Sequence, residues 1–158
     1  MLSGMSEQKK LKTIAKNRKA FHDYDILEKF EAGIALYGAE VKAVRSGKVN
    51  LSDSYAQCSN GELFLNHLHI SPYDHVSFNV PDPYRKRKLL LSKRQIMYLG
   101  NEVDRKQLTI IPLTLYFKNQ WVKVEIGLCR GRKKWDKRQK IAESESKRRI
   151  QKLFQRYH

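Results

Sequence analysis

The sequence predicts a small mixed β/α barrel, built from short antiparallel strands with two helices inserted. Three patterns carry this reading. Val122, Val124, Ile126 and Leu128 alternate with Lys123, Glu125 and Gly127, the period of a strand with one buried face. Asn60-Gly61 lies between Tyr55 and the apolar run Leu63, Phe64 and Leu65, and this dipeptide suits the positive backbone angles of a tight hairpin. Ser92 and Gln95 have the spacing of a helix N-cap and its reciprocal third-position partner. Short strands joined at Gly and Asn turns favour a barrel over a helical bundle or a dinucleotide-binding sheet.

Taken in chain order, residues 24–36 read as a bent or bulged strand, because their apolar recurrence is interrupted by charges and by Gly33. Residues 38–46 read as a short helix with Val41 and Val44 on one side, ended in the left-handed conformation by Gly47. The hairpin around Asn60-Gly61 continues towards Leu68 and Ile70. After Ser92, the three-then-four stripe Ile96, Leu99 and Val103 marks a helix that gains stability by packing on a sheet. Strand signals return at Leu108. Leu113, Leu115 and Phe117 alternate after Pro112, which lacks the N–H an interior strand position needs and so belongs at a bulge or edge. Lys118-Asn119-Gln120 then connects to the final strand.

The carboxyl end follows other rules. Residues 139–158 lose the alternation of the body. Ile150, Leu153, Phe154 and Tyr157 share a helical face, and Glu143 with Lys147 and Glu145 with Arg149 have the spacing of helical ion pairs. This apolar face is too small to offset the entropy of ordering the segment, so residues 131–158 are expected to be a basic tail, disordered until a negatively charged groove compensates. Residues 1–12 are expected to be a flexible extension, leaving 13–130 as the folded domain.

Charge indicates the class of partner. The 158-residue chain carries 32 Lys and Arg against 16 Asp and Glu, yet its 41% apolar content argues for a folded body rather than a disordered polycation. The charge is also blocked. Residues 20–84 hold four basic and nine acidic side chains, residues 85–94 six basic and none acidic, and residues 130–158 twelve basic against three acidic. Basic faces beside a neutral or acidic one would attract and orient a polyanion, most simply nucleic acid. A basic ribosomal structural protein or a general RNA-binding module fits this charge pattern too.

Residues 1–12 contain no apolar core for an export signal, and no stretch approaches the roughly 20 apolar residues of a membrane span. Cys58 and Cys129 are too isolated for a disulfide framework, so a cytoplasmic, reducing location is expected. His67 and His69 can face together on a strand with Cys58 and His75 nearby, but their spacing forms no zinc motif. Neither an ordered nucleophile, base and oxyanion set nor a phosphate-cradling Walker sequence is present. The expectation is a protein without catalytic residues, metal or cofactor.

Ordered segments along nearly the whole chain resemble the SsrA-binding protein family. They are Asn17-Arg18-Lys19-Ala20-Phe21-His22-Asp23-Tyr24, Gly33-Ile34-Ala35-Leu36-Tyr37-Gly38-Ala39-Glu40-Val41-Lys42 and Asn50-Leu51-Ser52-Asp53-Ser54-Tyr55-Ala56. Asp82-Pro83-Tyr84-Arg85-Lys86-Arg87-Lys88-Leu89-Leu90-Leu91, Ile111-Pro112-Leu113-Thr114-Leu115-Tyr116 and Gly131-Arg132-Lys133-Lys134-Trp135-Asp136-Lys137-Arg138 extend the resemblance. It implies a six-stranded barrel related to the oligonucleotide-binding fold, with flanking helices and a flexible basic carboxyl tail. It also implies a non-enzymatic adaptor that binds the transfer-RNA-like portion of transfer-messenger RNA and delivers it to stalled bacterial ribosomes for trans-translation. The implied partners are that RNA, the ribosome, especially its small-subunit RNA, and the alanyl-charged RNA with elongation factor Tu.

On this reading Arg18, Lys19, Lys42, Arg45, Arg85, Lys86, Arg87 and Lys88 are candidate phosphate contacts that position the RNA without reading its sequence. Asn17, His22, Glu40 and Asn66 are candidates for hydrogen bonds to bases, ribose hydroxyls or neighbouring side chains, with local support of a helix or loop the rival role for Glu40. Arg132, Lys133, Lys134, Trp135, Asp136, Lys137, Arg138, Lys147, Arg148 and Arg149 form the candidate ribosome-binding tail. Trp135 has the ring to stack on an exposed base, while Asp136 orients a basic neighbour or ends a helical turn. The resembling family commonly carries histidine or another aromatic residue at the position of Trp135, and an indole cannot reproduce proton donation from both imidazole nitrogens.

Overall fold

A computed structural model describes residues 11–72, 80–132 and 134–156. Strand β1 (Leu11–Lys16) leads into helix α1 (Arg18–Asp23), strand β2 (Tyr24–Ile34) and helix α2 (Gly38–Arg45). Four short strands follow: β3 (Val49–Asn50), β4 (Tyr55–Ser59), β5 (Glu62–Asn66) and β6 (His69–Ile70). Then come β7 (Arg87–Leu90), α3 (Lys93–Lys106), β8 (Thr109–Lys118), β9 (Trp121–Gly131) and α4 (Lys134–Arg156). The result is a mixed β/α fold, a multi-stranded antiparallel sheet with flanking helices. Seven strands pair in the order β1-β8-β4-β5-β7-β2-β9, β9 also pairs with β8, and β3 pairs with β6 alone. These links differ greatly in length. β8 and β9 pair from Thr109 opposite Cys129 to Lys118 opposite Trp121, whereas β4 meets β8 only at Ala56 and Ile110.

Local chemistry accounts for the elements. In β9, Val122, Val124, Ile126 and Leu128 are buried against Leu115, Leu63, Leu65 and Leu89, the centre of the core. Gly127 interrupts the alternation for lack of space: a Cβ there would lie 2.9 Å from Leu113 Cδ1 and 3.1 Å from Cys129 Sγ. The β2 bulge falls between Ile26 and Glu28. The irregularity expected at Pro112 is a shift in the β8 to β9 register between Pro112 and Thr114. Asn60 and Gly61 both take positive φ at the β4 to β5 turn. Ser92 Oγ accepts from the Gln95 N–H and Gln95 Oε1 accepts from the Ser92 N–H, each at 3.2 Å, so the capping box forms and the following helix buries Ile96 and Leu99. Helix α2 ends at Gly47, φ +75°, where the Gly47 N–H bonds the Val44 carbonyl and the Lys48 N–H bonds that of Ala43.

Several expectations need correction. Helix α1 was not signalled, because six residues are too few to show a period. Leu11 and Lys12, assigned to a flexible extension, pair in β1 with Lys118 and Phe117; residues 1–10 lie outside the described residues. His67 and His69 do not share a strand. His67 takes φ +62° between β5 and β6 and packs on Tyr55, while His69 packs on Tyr84; His75 is outside the described residues. The tail, expected to be disordered until binding, forms α4 in the structure, over a run without Gly or Pro and rich in Lys, Arg, Glu and Gln. Ile141 and Ile150 on this helix remain exposed, and Glu143–Lys147 and Glu145–Arg149 do not close into ion pairs. Leu153 and Phe154 of the proposed helical face lie where side chains are not described, and Tyr157 lies outside the described residues.

Candidate nucleic-acid interface

Asn17 begins the site by holding α1 in place. Its Oδ1 accepts from the Ala20 N–H at 3.1 Å, and its Nδ2 donates to the Pro112 carbonyl at 2.9 Å and the Leu51 carbonyl at 3.3 Å. The Asn17 N–H donates to the Leu113 carbonyl at 2.8 Å, so the residue also fills the kink that Pro112 makes in β8. Asn17 is buried and its polar atoms are satisfied internally. This corrects its expected role as a base or ribose contact. What it does is fix the helix that presents Arg18 and Lys19 to solvent. Lys19 Nζ pairs with Asp53 Oδ1 at 2.8 Å, which raises the lysine pKa by hydrogen bonding and charge, while Arg18 has no ion-pair partner among the described residues. His22 is half-buried, with Nδ1 2.8 Å from Asp23 Oδ1.

A second cluster joins α2 to β7. Glu40, 3% exposed, receives the Tyr37 N–H at 2.9 Å, Arg85 Nη2 at 2.6 Å and Arg87 Nε at 2.7 Å. Burial by itself would raise the Glu40 pKa, but the hydrogen bonds from Arg85, the Tyr37 N–H and Arg87 hold it below the usual carboxylate range. Arg87 is 0% exposed, and its Nη1 and Nη2 donate to the Leu68 and Pro83 carbonyls at 2.6 and 3.2 Å. Glu40 and Arg87 therefore cannot reach a ligand. Arg87 is corrected from phosphate contact to buried brace, and Glu40 takes the support role that was its rival reading. Arg85 also turns inward, yet its guanidinium lies 4.4 Å from the centre of the exposed Tyr37 ring.

The remaining candidate cations of the body are exposed. Lys86 Nζ lies 4.9 Å from the Phe64 ring, Lys88 pairs with Glu62 at 3.1 Å, and Arg45 lies 5.4 Å from the Phe117 ring. Lys42 is exposed on α2. Asn66 is half-buried and donates to Gln57 Oε1 at 3.4 Å, apart from the arginine cluster. Sequence reasoning missed the ring contributions of Tyr37, Phe64 and Tyr84; only the adjacency of Tyr84 to the basic run hinted at them.

The tail divides at Arg132. That residue is tied to the body, with Nε 2.8 Å from Asp25 Oδ1 and its N–H bonded to the Asp23 carbonyl, so its assignment to a free tail is corrected. Lys133 lies outside the described residues, as do the side chains of Lys134, Trp135, Asp136 and Lys137. Arg138, Lys147, Arg148 and Arg149 are exposed on α4. An open groove lined by Arg18, Phe21, His22, Ile141 and Arg148 runs between α1 and α4. Exposed cations, flat rings and amide groups suit phosphates and bases. No metal-binding group of three or more His, Cys, Asp or Glu occurs among the described residues, and no helix there is long and apolar enough to cross a membrane.

Residues 14–156 match the model of the family described as SmpB protein. The chain is 53% identical over 143 residues to an SsrA-binding protein of Carboxydothermus hydrogenoformans, covering 90% of this chain and 96% of the relative. It is 51% identical over 144 residues to an SsrA-binding protein of Desulfitobacterium hafniense, covering 91% and 92%. It is also similar to a solved structure described as "tmRNA-SmpB: a journey to the center of the bacterial ribosome", at 50% identity and a TM-score of 0.64, over 76% of this chain and 85% of that one. A match that runs from β1 through α4, at this identity, means that the chain belongs to the SmpB family, the SsrA-binding proteins.

Proposed function

We infer that this protein is an RNA-binding adaptor, not an enzyme, which binds transfer-messenger RNA and delivers it to stalled bacterial ribosomes for trans-translation. The observation that carries this is the family match across residues 14–156. The chemistry of the surface supports it: the cations are exposed at several places on one folded body, which favours recognition of a compact RNA shape. Within that function, Arg18, Lys19, Lys42, Arg45, Lys86 and Lys88 are proposed to meet phosphates, with His22 and Asn66 as hydrogen-bonding neighbours. Asn17, Glu40 and Arg87 hold these groups in position.

The carboxyl residues, including Arg138, Lys147, Arg148 and Arg149, are proposed to enter the decoding region and vacant messenger channel, with Trp135 stacking on a ribosomal base. Alanyl-charged RNA with elongation factor Tu is the proposed companion, and the cytoplasm the proposed location. The ring of pairings from β8 through β4, β5, β7, β2 and β9 back to β8 supports a six-stranded barrel related to the oligonucleotide-binding fold, with a narrow seam at Ala56 and Ile110.

The decisive experiment is binding competition among transfer-messenger RNA, ordinary transfer RNA and an unrelated duplex at matched salt, with full-length protein and a variant truncated after Arg138. The expected result is a preference for transfer-messenger RNA that survives truncation, together with loss of ribosomal tagging in the truncated variant. Equal affinity for all three RNAs would leave only a general basic binder.

A further inference from the structure

We propose that Tyr37 is a stacking seat for one unpaired RNA base, with the Arg85 guanidinium as its fixed backing; the inference rests on the RNA-binding reading above. Four rings among the described residues have a cation over them: Phe21, Tyr37, Phe64 and Phe117. Of these only Tyr37 stands well clear of the surface, 58% exposed although Arg85 already covers part of it at 4.4 Å. The ring's backbone is also fixed, because the Tyr37 N–H donates to Glu40 Oε1 at the start of α2.

The orientation of Arg85 argues for a backing rather than a phosphate contact. Its Nη2 donates to Glu40 at 2.6 Å and to the Ala35 carbonyl at 3.4 Å, and its Nη1 to the Lys86 carbonyl at 3.3 Å. Its Nε is buried without an acceptor. Turning outward to a phosphate would strip Glu40 of one of its two arginines. The group instead keeps its permanent charge over the tyrosine ring, 4.4 Å from the ring centre, and a ring held on a cation offers a pre-oriented π surface to a base. Such stacking tolerates any base, since each has a π face, and so adds affinity for an unstacked nucleotide without reading its identity. Lys86, next in the chain and exposed, is available to the flanking phosphate.

The test compares Tyr37→Phe, Tyr37→Leu and Tyr37→Ala in the full chain, measuring affinity for the transfer-RNA-like portion of transfer-messenger RNA across a range of salt. Leu and Ala are expected to weaken binding about 5- to 150-fold, the equivalent of the ~1–3 kcal/mol that one stacked base contributes. Phe should bind within about threefold of wild type. The slope of log K against log salt should be the same in all four proteins, since no phosphate contact is lost. Leucine retains apolar bulk over Arg85 without a flat ring, so Leu against Phe decides the matter even if the Ala variant folds poorly. A Leu variant that binds as tightly as wild type, or a loss accompanied by a shallower salt slope, overturns the stacking seat alone. A wild-type protein with no preference for this RNA over an unrelated duplex overturns the RNA-recognition reading beneath it.

Discussion

Cations in the folded body and cations on the carboxyl helix have the same charge but different surroundings. In the body, Arg87 and Arg85 share Glu40, Lys19 faces Asp53, Lys88 faces Glu62 and Arg132 faces Asp25. On α4, Arg138, Lys147, Arg148 and Arg149 have no ion-pair partner among the described residues. A paired arginine has a set direction and can shape a surface. An unpaired one on an exposed helix is free to follow a polyanion and contributes through released counterions. Arg85 and Arg87, held on Glu40, give the body its form, whereas the cations of α4, like the unpaired and exposed Arg18 of the body, serve attraction.

The largest effect should come from breaking the buried pair. Arg87→Met leaves Glu40 without its deepest partner and should cost about 3–5 kcal/mol, seen as a fall in Tm on the order of 10 °C. A melting temperature within error of wild type would mean that the network does not hold β7 to α2. The double change Glu40→Gln with Arg87→Met should recover part of the loss.

Acid should next weaken the same network. Because the folded Glu40 pKa lies below its unfolded value, its contribution is complete above the ordinary glutamate range, about 4.3, and is lost as pH falls through the folded pKa. The stability difference between wild type and Glu40→Gln, followed by denaturant unfolding, should be full at neutral pH and shrink in acid. A difference constant down to the acid limit would show that Glu40 acts by shape and not by charge.

The smallest change in stability belongs to the tail. Replacing Lys147, Arg148 and Arg149 together by alanine should move Tm very little, because exposed substitutions of this kind usually alter stability by less than about 0.5 kcal/mol each. The same variant should lower the salt slope of ribosome binding by about 2, at roughly 0.7 per charge lost on single-stranded RNA. A slope equal to wild type would show that these cations do not meet phosphates.

Much of the fold was readable because one physical signal decided each element alone. The alternation in β9, the Asn60-Gly61 turn, the Ser92 and Gln95 box and the break at Pro112 are local, and each appears where its residues require. The site was less readable. Arg85, Lys86, Arg87 and Lys88 form one basic run in sequence, yet strand alternation buries Arg87 and exposes Lys88, and Glu40, 47 residues earlier than Arg87, decides which arginines turn inward. Asn17 similarly looks like a surface amide until the β8 kink supplies its acceptors. Long-range partners of this kind leave no periodic trace.

Trp121, the first residue of β9 after the turn from β8, is 73% exposed, and Trp135, in the sequence at the start of the carboxyl segment, is the chain's second tryptophan. Intrinsic fluorescence of the native protein thus mixes a body reporter in water with a reporter in the segment that follows the last strand. Replacing Trp121 by phenylalanine would leave one indole, so its emission wavelength and quenching could follow the carboxyl segment's arrival at the ribosome without an added dye.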